Sequence, residues 1–223
     1  IPIMIYGIYL YRLLKRQNVG DIPRKLSATV VNNTVKPRGY LRRLIAFVTL
    51  GTAVQVFVFS TLSFVTLMVV DELGGPTWLG MLLLATGHLA GLVAGPTGGS
   101  ISDRIGKVPV MLVVGLAAGP LIYFLSPVQY WWVLPLILVG LGSCMYVAMP
   151  VSEAYVIGKL SPGNRSTILG IYYFASRGGP GILMPIIGKL KDQHDFGTAF
   201  SVTGGVMFIV ALTCSLLLWG TKE

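Results

Sequence analysis

Long apolar stretches alternate with short polar connections along most of the chain. A helix needs about 20 mostly apolar residues to cross the hydrocarbon core of a bilayer. Six stretches approach or exceed that length: residues 44–70, 78–101, 108–125, 131–157, 167–188 and 199–219. The second and fifth are rich in glycine, which soluble helices avoid and membrane helices use for close packing. The pattern predicts an all-α integral membrane protein with six transmembrane helices, occupying residues 44–219.

The two ends of the chain follow a different pattern. Residues 1–14 are apolar but too short to span a bilayer, and they lack the basic residues that open a signal peptide. We interpret them as the tail of a truncated transmembrane helix. Residues 15–43 are polar, basic and interrupted by Pro23, Pro37 and Gly39. They are predicted to form a cytoplasmic linker that lies along anionic headgroups, and residues 220–223 a cytoplasmic tail.

Composition narrows the class of protein. Only 11% of the 223 residues are charged and 54% are hydrophobic, whereas a soluble domain carries about 25% charged residues. A water-soluble enzyme is therefore excluded. The net charge is +9, but long apolar stretches separate the basic residues. Because they form no continuous basic surface, we expect no nucleic-acid partner. Two cysteines and two histidines are too few for a disulfide framework or a zinc site, and we expect no metal and no cofactor.

The distribution of basic residues predicts the orientation. Fourteen Lys and Arg residues lie in segments on one side of the predicted helices, and two lie on the other side. Because Lys and Arg concentrate in cytoplasmic loops, both ends of the six-helix unit are expected in the cytoplasm. We expect a multi-pass protein of the cell membrane, with the lipid bilayer as its surroundings.

A motif lies between the second and third stretches, reading Gly99-Ser-Ile-Ser-Asp103-Arg104-Ile-Gly106-Lys107. It resembles the G-x-x-x-D-R-x-G-R/K signature of major facilitator superfamily transporters, which joins helices two and three and recurs between helices eight and nine. Residues 160–170, LSPGNRSTILG, resemble the segment before helix eleven of that family. The resemblance covers residues 12–223.

The resemblance implies a twelve-helix transporter built of two six-helix repeats. A helix tail followed by a basic linker is what precedes the second repeat, so we number the six stretches helices seven to twelve. Residues 1–14 are then the end of helix six, and the missing N-terminal repeat is an expected partner. The alternative is that the chain is the first repeat, with residues 1–14 as an N-terminal tail.

The resemblance also implies a cytoplasmic latch formed by the motif residues Gly99, Asp103, Arg104, Gly106 and Lys107. Asp103 would cap the positive end of a facing helix, and Arg104 would pair with Glu153 on the fourth stretch. A static ion pair that only fastens helices is an equal alternative. A second pattern, the glycines and Pro96 at residues 91–99, matches one found on helix five of drug–proton antiporters. It falls here on another helix, so close helix packing explains it better.

Arg177 is the strongest candidate for substrate binding. It lies near the predicted bilayer midplane, where a charged side chain must face a cavity or a partner. It shares a helix face with Tyr173, and its guanidinium group can bind a carboxylate or phosphate through two hydrogen bonds. The alternative is a structural pair with a carboxylate from the missing repeat.

Three further polar residues are candidate substrate ligands. His88 lies at a similar depth on the second stretch, and histidine is the residue type whose ordinary pKa lies nearest neutral pH, although a packed hydrogen-bonding role is the slightly favoured alternative. Gln55 belongs to a polar stripe on the first stretch, and Tyr146 shares a face of the fourth with Glu153. His88 and Glu153 are also the candidate carriers of a coupled proton.

These residues favour a secondary active transporter that moves a small organic solute by alternating access, coupled to protons, with an anionic solute bound by Arg177. The sequence holds none of the nucleotide-binding or hydrolase motifs that an ATP-driven pump or an intramembrane enzyme would need. Two alternatives remain open. One is efflux of hydrophobic compounds with Arg177 in a structural role. The other is a non-transporting sensor or scaffold on the same fold.

Overall fold

The computed structural model describes residues 40–126, 132–159 and 162–218. These residues form six helices and no strand. The helices are α1 (Tyr40–Asp71), α2 (Thr77–Ile105), α3 (Lys107–Tyr123), α4 (Leu134–Lys159), α5 (Pro162–Gln193) and α6 (Phe196–Leu218). Each corresponds to one of the predicted apolar stretches, so the all-α prediction is confirmed. The predicted helix tail at 1–14, residues 15–39 of the linker predicted at 15–43, and the tail at 220–223 lie outside the described residues. Residues 40–43, the end of the predicted linker, belong to the first turn of α1.

Four of the described helices are both long and apolar enough to cross a membrane: α1, α2, α4 and α6. α3 is apolar but has only 17 residues, which lies at the lower limit for a spanning helix. α5 has 32 residues, and its apolar sequence is interrupted by Arg177, Lys189, Lys191 and several glycines. The polar character of α5 marks it as the helix whose side chains need an environment other than lipid.

α1 forms the centre of the bundle and contacts each of the other five helices. Its side chains Phe47, Leu50, Val54 and Val58 are completely buried. Phe47 stacks on Tyr155 of α4, with ring centroids 3.8 Å apart. Burial of this apolar face leaves the exposed sides of the outer helices to contact lipid or another protein surface.

α2 packs most extensively against α4, and glycines bring the two backbones together. A Cβ atom at Gly142 would overlap the carbonyl group of Gly87, and one at Gly91 would overlap the ring of Tyr146. Only glycine permits this approach, which is how membrane helices gain packing contacts without a hydrophobic driving force. Contact with α4 therefore explains Gly87, Gly91 and Gly98 of the glycine-rich second stretch.

Polar contacts join two turns at one end of the bundle. The Nζ atom of Lys191 lies 3.4 Å from Oδ2 of Asp71 and 3.5 Å from Oδ1 of Asp192. It also lies 5.2 Å from the ring centroid of Phe196. The Phe196 N–H donates a hydrogen bond to Oε1 of Glu72 at 3.1 Å. The α1–α2 turn is thus fastened to the α5–α6 turn.

Candidate functional site

Arg177 lies at the middle of α5, and its side chain is exposed. Among the described residues its hydrogen-bond partner is the thioether of Met149 on α4, with Nη2 3.9 Å from Sδ. A thioether is a weak acceptor and carries no charge. The guanidinium group is therefore held near α4 without an ion pair from the described residues, and most of its donors are free to bind a ligand.

Glu153 lies one helical turn beyond Met149 on the same side of α4. It is half-buried, and its carboxylate lies beside the hydroxyl of Tyr173, which is itself within electrostatic range of Arg177. Its Oε1 atom is buried and has no hydrogen-bond partner in the structure. A buried carboxylate oxygen without a donor costs free energy, so a bound hydrogen-bond donor would stabilise it.

Two hydroxyl groups extend this polar region between α4 and α5. Ser152 is completely buried and Tyr172 is 1% exposed. The hydroxyls are neighbours, but neither makes a hydrogen bond of good geometry, so both oxygens are without a partner. We refer to Met149, Glu153, Tyr173 and Arg177 as the Arg177 cluster. Oε1 of Glu153 in the cluster, and the hydroxyls of Ser152 and Tyr172 beside it, are buried polar atoms that can still form a hydrogen bond.

His88 and Tyr146 form a second polar pair, between α2 and α4. Nδ1 of His88 lies 3.1 Å from the Tyr146 hydroxyl, a hydrogen bond whose direction depends on the histidine tautomer. The rings meet edge to face with centroids 6.1 Å apart. Tyr146, Met149 and Glu153 follow one another at i, i+3 and i+7 on α4. One face of α4 therefore carries both the His88 pair and the Arg177 cluster.

Gln55 is separate from these groups. Its side chain is 6% exposed, and its Nε2 atom donates a hydrogen bond to the backbone carbonyl of Met145 at 2.7 Å. The amide group thus connects α1 to α4 inside the bundle. This hydrogen bond gives Gln55 a structural role. A role of Gln55 in substrate binding stays a prediction.

The signature residues lie at the junction of α2 and α3. Gly99 to Ile105 belong to the end of α2, and Gly106 alone separates the two helices. Gly106 has φ 99° and ψ 150°, and its N–H donates to the Ser102 carbonyl at 3.0 Å. A side chain at this φ would be strained, which explains the second glycine of the motif. The connection is therefore one residue long rather than a loop.

The structure places the charged motif residues on the surface of this junction. Asp103 and Arg104 are exposed, and Nζ of Lys107 lies 3.9 Å from Oδ1 of Asp103. Arg104 and Glu153 are both described, and no ion pair joins them. Glu153 instead faces α5. The expected latch pair is thus not formed in this structure, whereas Asp103 remains available to a facing helix.

The comparison with protein families decides the class of the protein. The model of the Major Facilitator Superfamily matches residues 48–223, more than three quarters of the chain. The chain belongs to the major facilitator superfamily. A search of the curated proteins found no match.

Membership of the major facilitator superfamily confirms the resemblance carried by Gly99 to Lys107. It makes the protein a multi-pass membrane protein and, in general terms, a membrane transporter. The superfamily is generally non-enzymatic. Within the parts of the chain that the structure describes, no three His, Cys, Asp or Glu side chains come together as a metal site.

The sequence did not indicate every residue around the site of this superfamily member. Met149 could have been found from its i+3 spacing after Tyr146, but a thioether in an apolar stretch gives no polar signal. Ser152 directly precedes Glu153 in the chain, and Tyr172 directly precedes Tyr173. Whether Ser152 and Tyr172 lie close to each other depends on how α4 packs against α5. That packing angle is a tertiary property that helix periodicity does not contain.

Proposed function

We propose that the chain is one six-helix repeat of a secondary transporter that moves a small anionic organic solute by alternating access. The observation that carries the proposal is Arg177, an exposed cation at the middle of α5 with only a thioether as its hydrogen-bond partner among the described residues. A guanidinium group at membrane depth needs an anionic partner. A carboxylate or phosphate of the solute supplies one with two parallel hydrogen bonds.

Glu153 is the proposed carrier of a coupled proton. Its Oε1 atom is buried without a donor, and its carboxylate lies beside Tyr173, which is also close to Arg177. When Glu153 is ionised, it competes with an anionic solute for the positive charge of Arg177. When it is protonated, that competition ends, so protonation and anion binding favour one another. His88 is the second candidate, through its hydrogen bond with Tyr146.

The other six-helix repeat is the proposed partner of the exposed faces of α2 and α5. Leu92 on α2 and Phe174 on α5 are among the most exposed apolar side chains, at 74% and 81%. Phe174 lies one turn from Arg177, so a second repeat that covers it would also enclose the Arg177 cluster. The proposed location is the cell membrane, with both ends of the repeat in the cytoplasm.

The test uses the full-length transporter in proteoliposomes with an imposed pH gradient. Uptake of small carboxylates and phosphate esters is compared with uptake of hydrophobic cations. Arg177→Ala is expected to raise the KM for the anion about 10- to 100-fold, the usual effect of losing hydrogen bonds to a charged group. Arg177→Lys should recover part of the loss, because it keeps the charge but not the bidentate geometry. Lys189→Ala is the matched control, since it removes an exposed cation from the same helix.

The proton role has its own readout. Glu153→Gln is expected to abolish uptake driven by the pH gradient while leaving exchange of the solute between the two sides intact.

Transport of hydrophobic cations with normal activity of Arg177→Ala would favour drug efflux with a structural arginine. Absence of any solute-dependent flux or conformational change in the full-length protein would favour a sensor.

A further inference from the structure

An apolar groove runs between the beginning of α1 and the end of α6. Its volume is about 610 Å³, and Ile45, Ile209 and Leu217 are among the side chains that line it. The groove extends along α1 from Arg42 to Thr49, which corresponds to about 10 Å of helix. In a bilayer such a groove does not stay empty, because acyl chains are the surrounding solvent.

One end of the groove is charged. Arg42 lines it at the beginning of α1, and its side chain is exposed. It makes no hydrogen bond or ion pair with the other residues that the structure describes. The remaining polar side chains along its walls are Thr49, Thr213 and Cys214. The Thr213 hydroxyl donates a hydrogen bond to the Ile209 carbonyl at 2.8 Å. The groove therefore combines an apolar interior with a single cation at its mouth.

A second groove of similar size provides a comparison. It lies between α2, α3 and α4, has a volume of about 550 Å³, and is lined by apolar and small residues that include Val93, Thr97 and Val113. None of its lining residues is charged. Both grooves can accept an acyl chain, but of the two only the groove between α1 and α6 has a cation among its lining residues.

We propose that the groove between α1 and α6 binds an anionic phospholipid. An acyl chain lies between Ile45 and Ile209, and the headgroup phosphate binds Arg42. A guanidinium group matches the geometry of a phosphate, and basic pockets between membrane helices are known sites for anionic headgroups. The lipid would hold α1 against α6 on the side away from their turns with α2 and α5. The site is independent of the solute that is transported.

The experiment measures which lipids stay with the full-length protein. The protein is reconstituted into vesicles of equal parts phosphatidylcholine and phosphatidylglycerol and re-extracted in mild detergent, and retained lipids are counted by mass spectrometry. The wild type is expected to retain phosphatidylglycerol preferentially. Arg42→Gln should reduce that preference about fivefold, the effect of one cation near a charged leaflet. Thr213→Phe, which fills the groove, should reduce retention of both lipids.

Thr97→Phe fills the uncharged groove and is the matched control, so it should leave the preference for phosphatidylglycerol over phosphatidylcholine unchanged. Equal retention of the two lipids by the wild type would overturn the proposal, as would an Arg42→Gln variant that behaves like the wild type. A photo-crosslinking amino acid at Thr49 should attach to phospholipid. Attachment to residues 1–39 instead would show that the chain itself fills the groove.

Discussion

At the scale of single residues, Gly106 has the strictest backbone requirement in the signature. Its φ of 99° lies in the region that side chains avoid, and it is the only residue between α2 and α3. Gly99, seven residues earlier, lies inside α2, where a Cβ atom would meet no atom within 4 Å. Of the two glycines in the motif, Gly106 is therefore required by its backbone conformation, whereas neither backbone angle nor space requires a glycine at position 99.

We expect Gly106→Ala to lower the free energy of unfolding by about 1–3 kcal/mol, the cost of a side chain in a disfavoured backbone region. Gly99→Ala should leave it unchanged or raise it by about 0.5–1 kcal/mol, because alanine is the better helix former. Denaturant unfolding of the full-length protein in detergent measures both. Equal effects of the two substitutions would contradict the assignment of strain to Gly106.

Asp195 has a second residue-scale role, at the beginning of α6. Its Oδ1 atom accepts a hydrogen bond from the Thr198 N–H at 2.7 Å, as a helix N-cap does. The hydrogen bonds from Thr198 lower the pKa of Asp195 from its ordinary value of 3.8. Because the pKa is lower in the folded state, the cap stabilises the protein above about pH 4 and this contribution is lost as the pH falls below that range.

Asp195→Ala is accordingly expected to lower the melting temperature at pH 7, and the difference from the wild type should shrink at pH 3. Asp195→Asn is the control, because asparagine caps helices without titrating. Its melting temperature relative to Asp195→Ala should be independent of pH. A gap between wild type and Asp195→Ala that stays constant from pH 7 to pH 3 would exclude the charged cap.

At the scale of helices, contact between α2 and α4 depends on two glycine backbones. Gly142→Ala is expected to destabilise the protein by about 1–3 kcal/mol, since the added methyl group must push α2 away from α4. Gly205→Ala is the matched control, because a Cβ atom there meets nothing within 4 Å. Thermal unfolding in detergent compares the two. If Gly142→Ala unfolds at the wild-type temperature, the close approach of Gly87 and Gly142 is not important for stability.

The sequence predicted the helices well because apolar length and polar connections are local properties. It placed the end of α2 at residue 101, and the helix continues to Ile105 because the polar motif residues are themselves helical. It also identified Arg177 and Glu153 as separate candidates. Their proximity could not be predicted, since it depends on how α4 and α5 pack. The resemblance directed Glu153 towards Arg104 instead, and no ion pair joins these two described residues.

At the scale of the whole molecule, the orientation in the membrane can be tested on one helix. Thr77 and Ser100 are exposed near opposite ends of α2. Cys144 and Cys214 are buried and can be replaced by alanine to remove background. A membrane-impermeant maleimide should label Thr77→Cys in intact cells, whereas Ser100→Cys should be labelled only after permeabilisation. The reverse labelling pattern would invert the proposed topology.

The helices of this bundle are fastened by two kinds of contact that respond differently to salt. The glycine contact between α2 and α4 is van der Waals packing of uncharged backbone atoms, so ions in solution do not weaken it. Lys191 joins α5 to Asp71 of α1 through charges that remain partly open to solvent. Such charges are screened over about 8–10 Å at physiological ionic strength, and over shorter distances in concentrated salt. Dissolved ions on a single side of the membrane can therefore loosen the α1–α5 end of the repeat while its glycine contact stays unchanged.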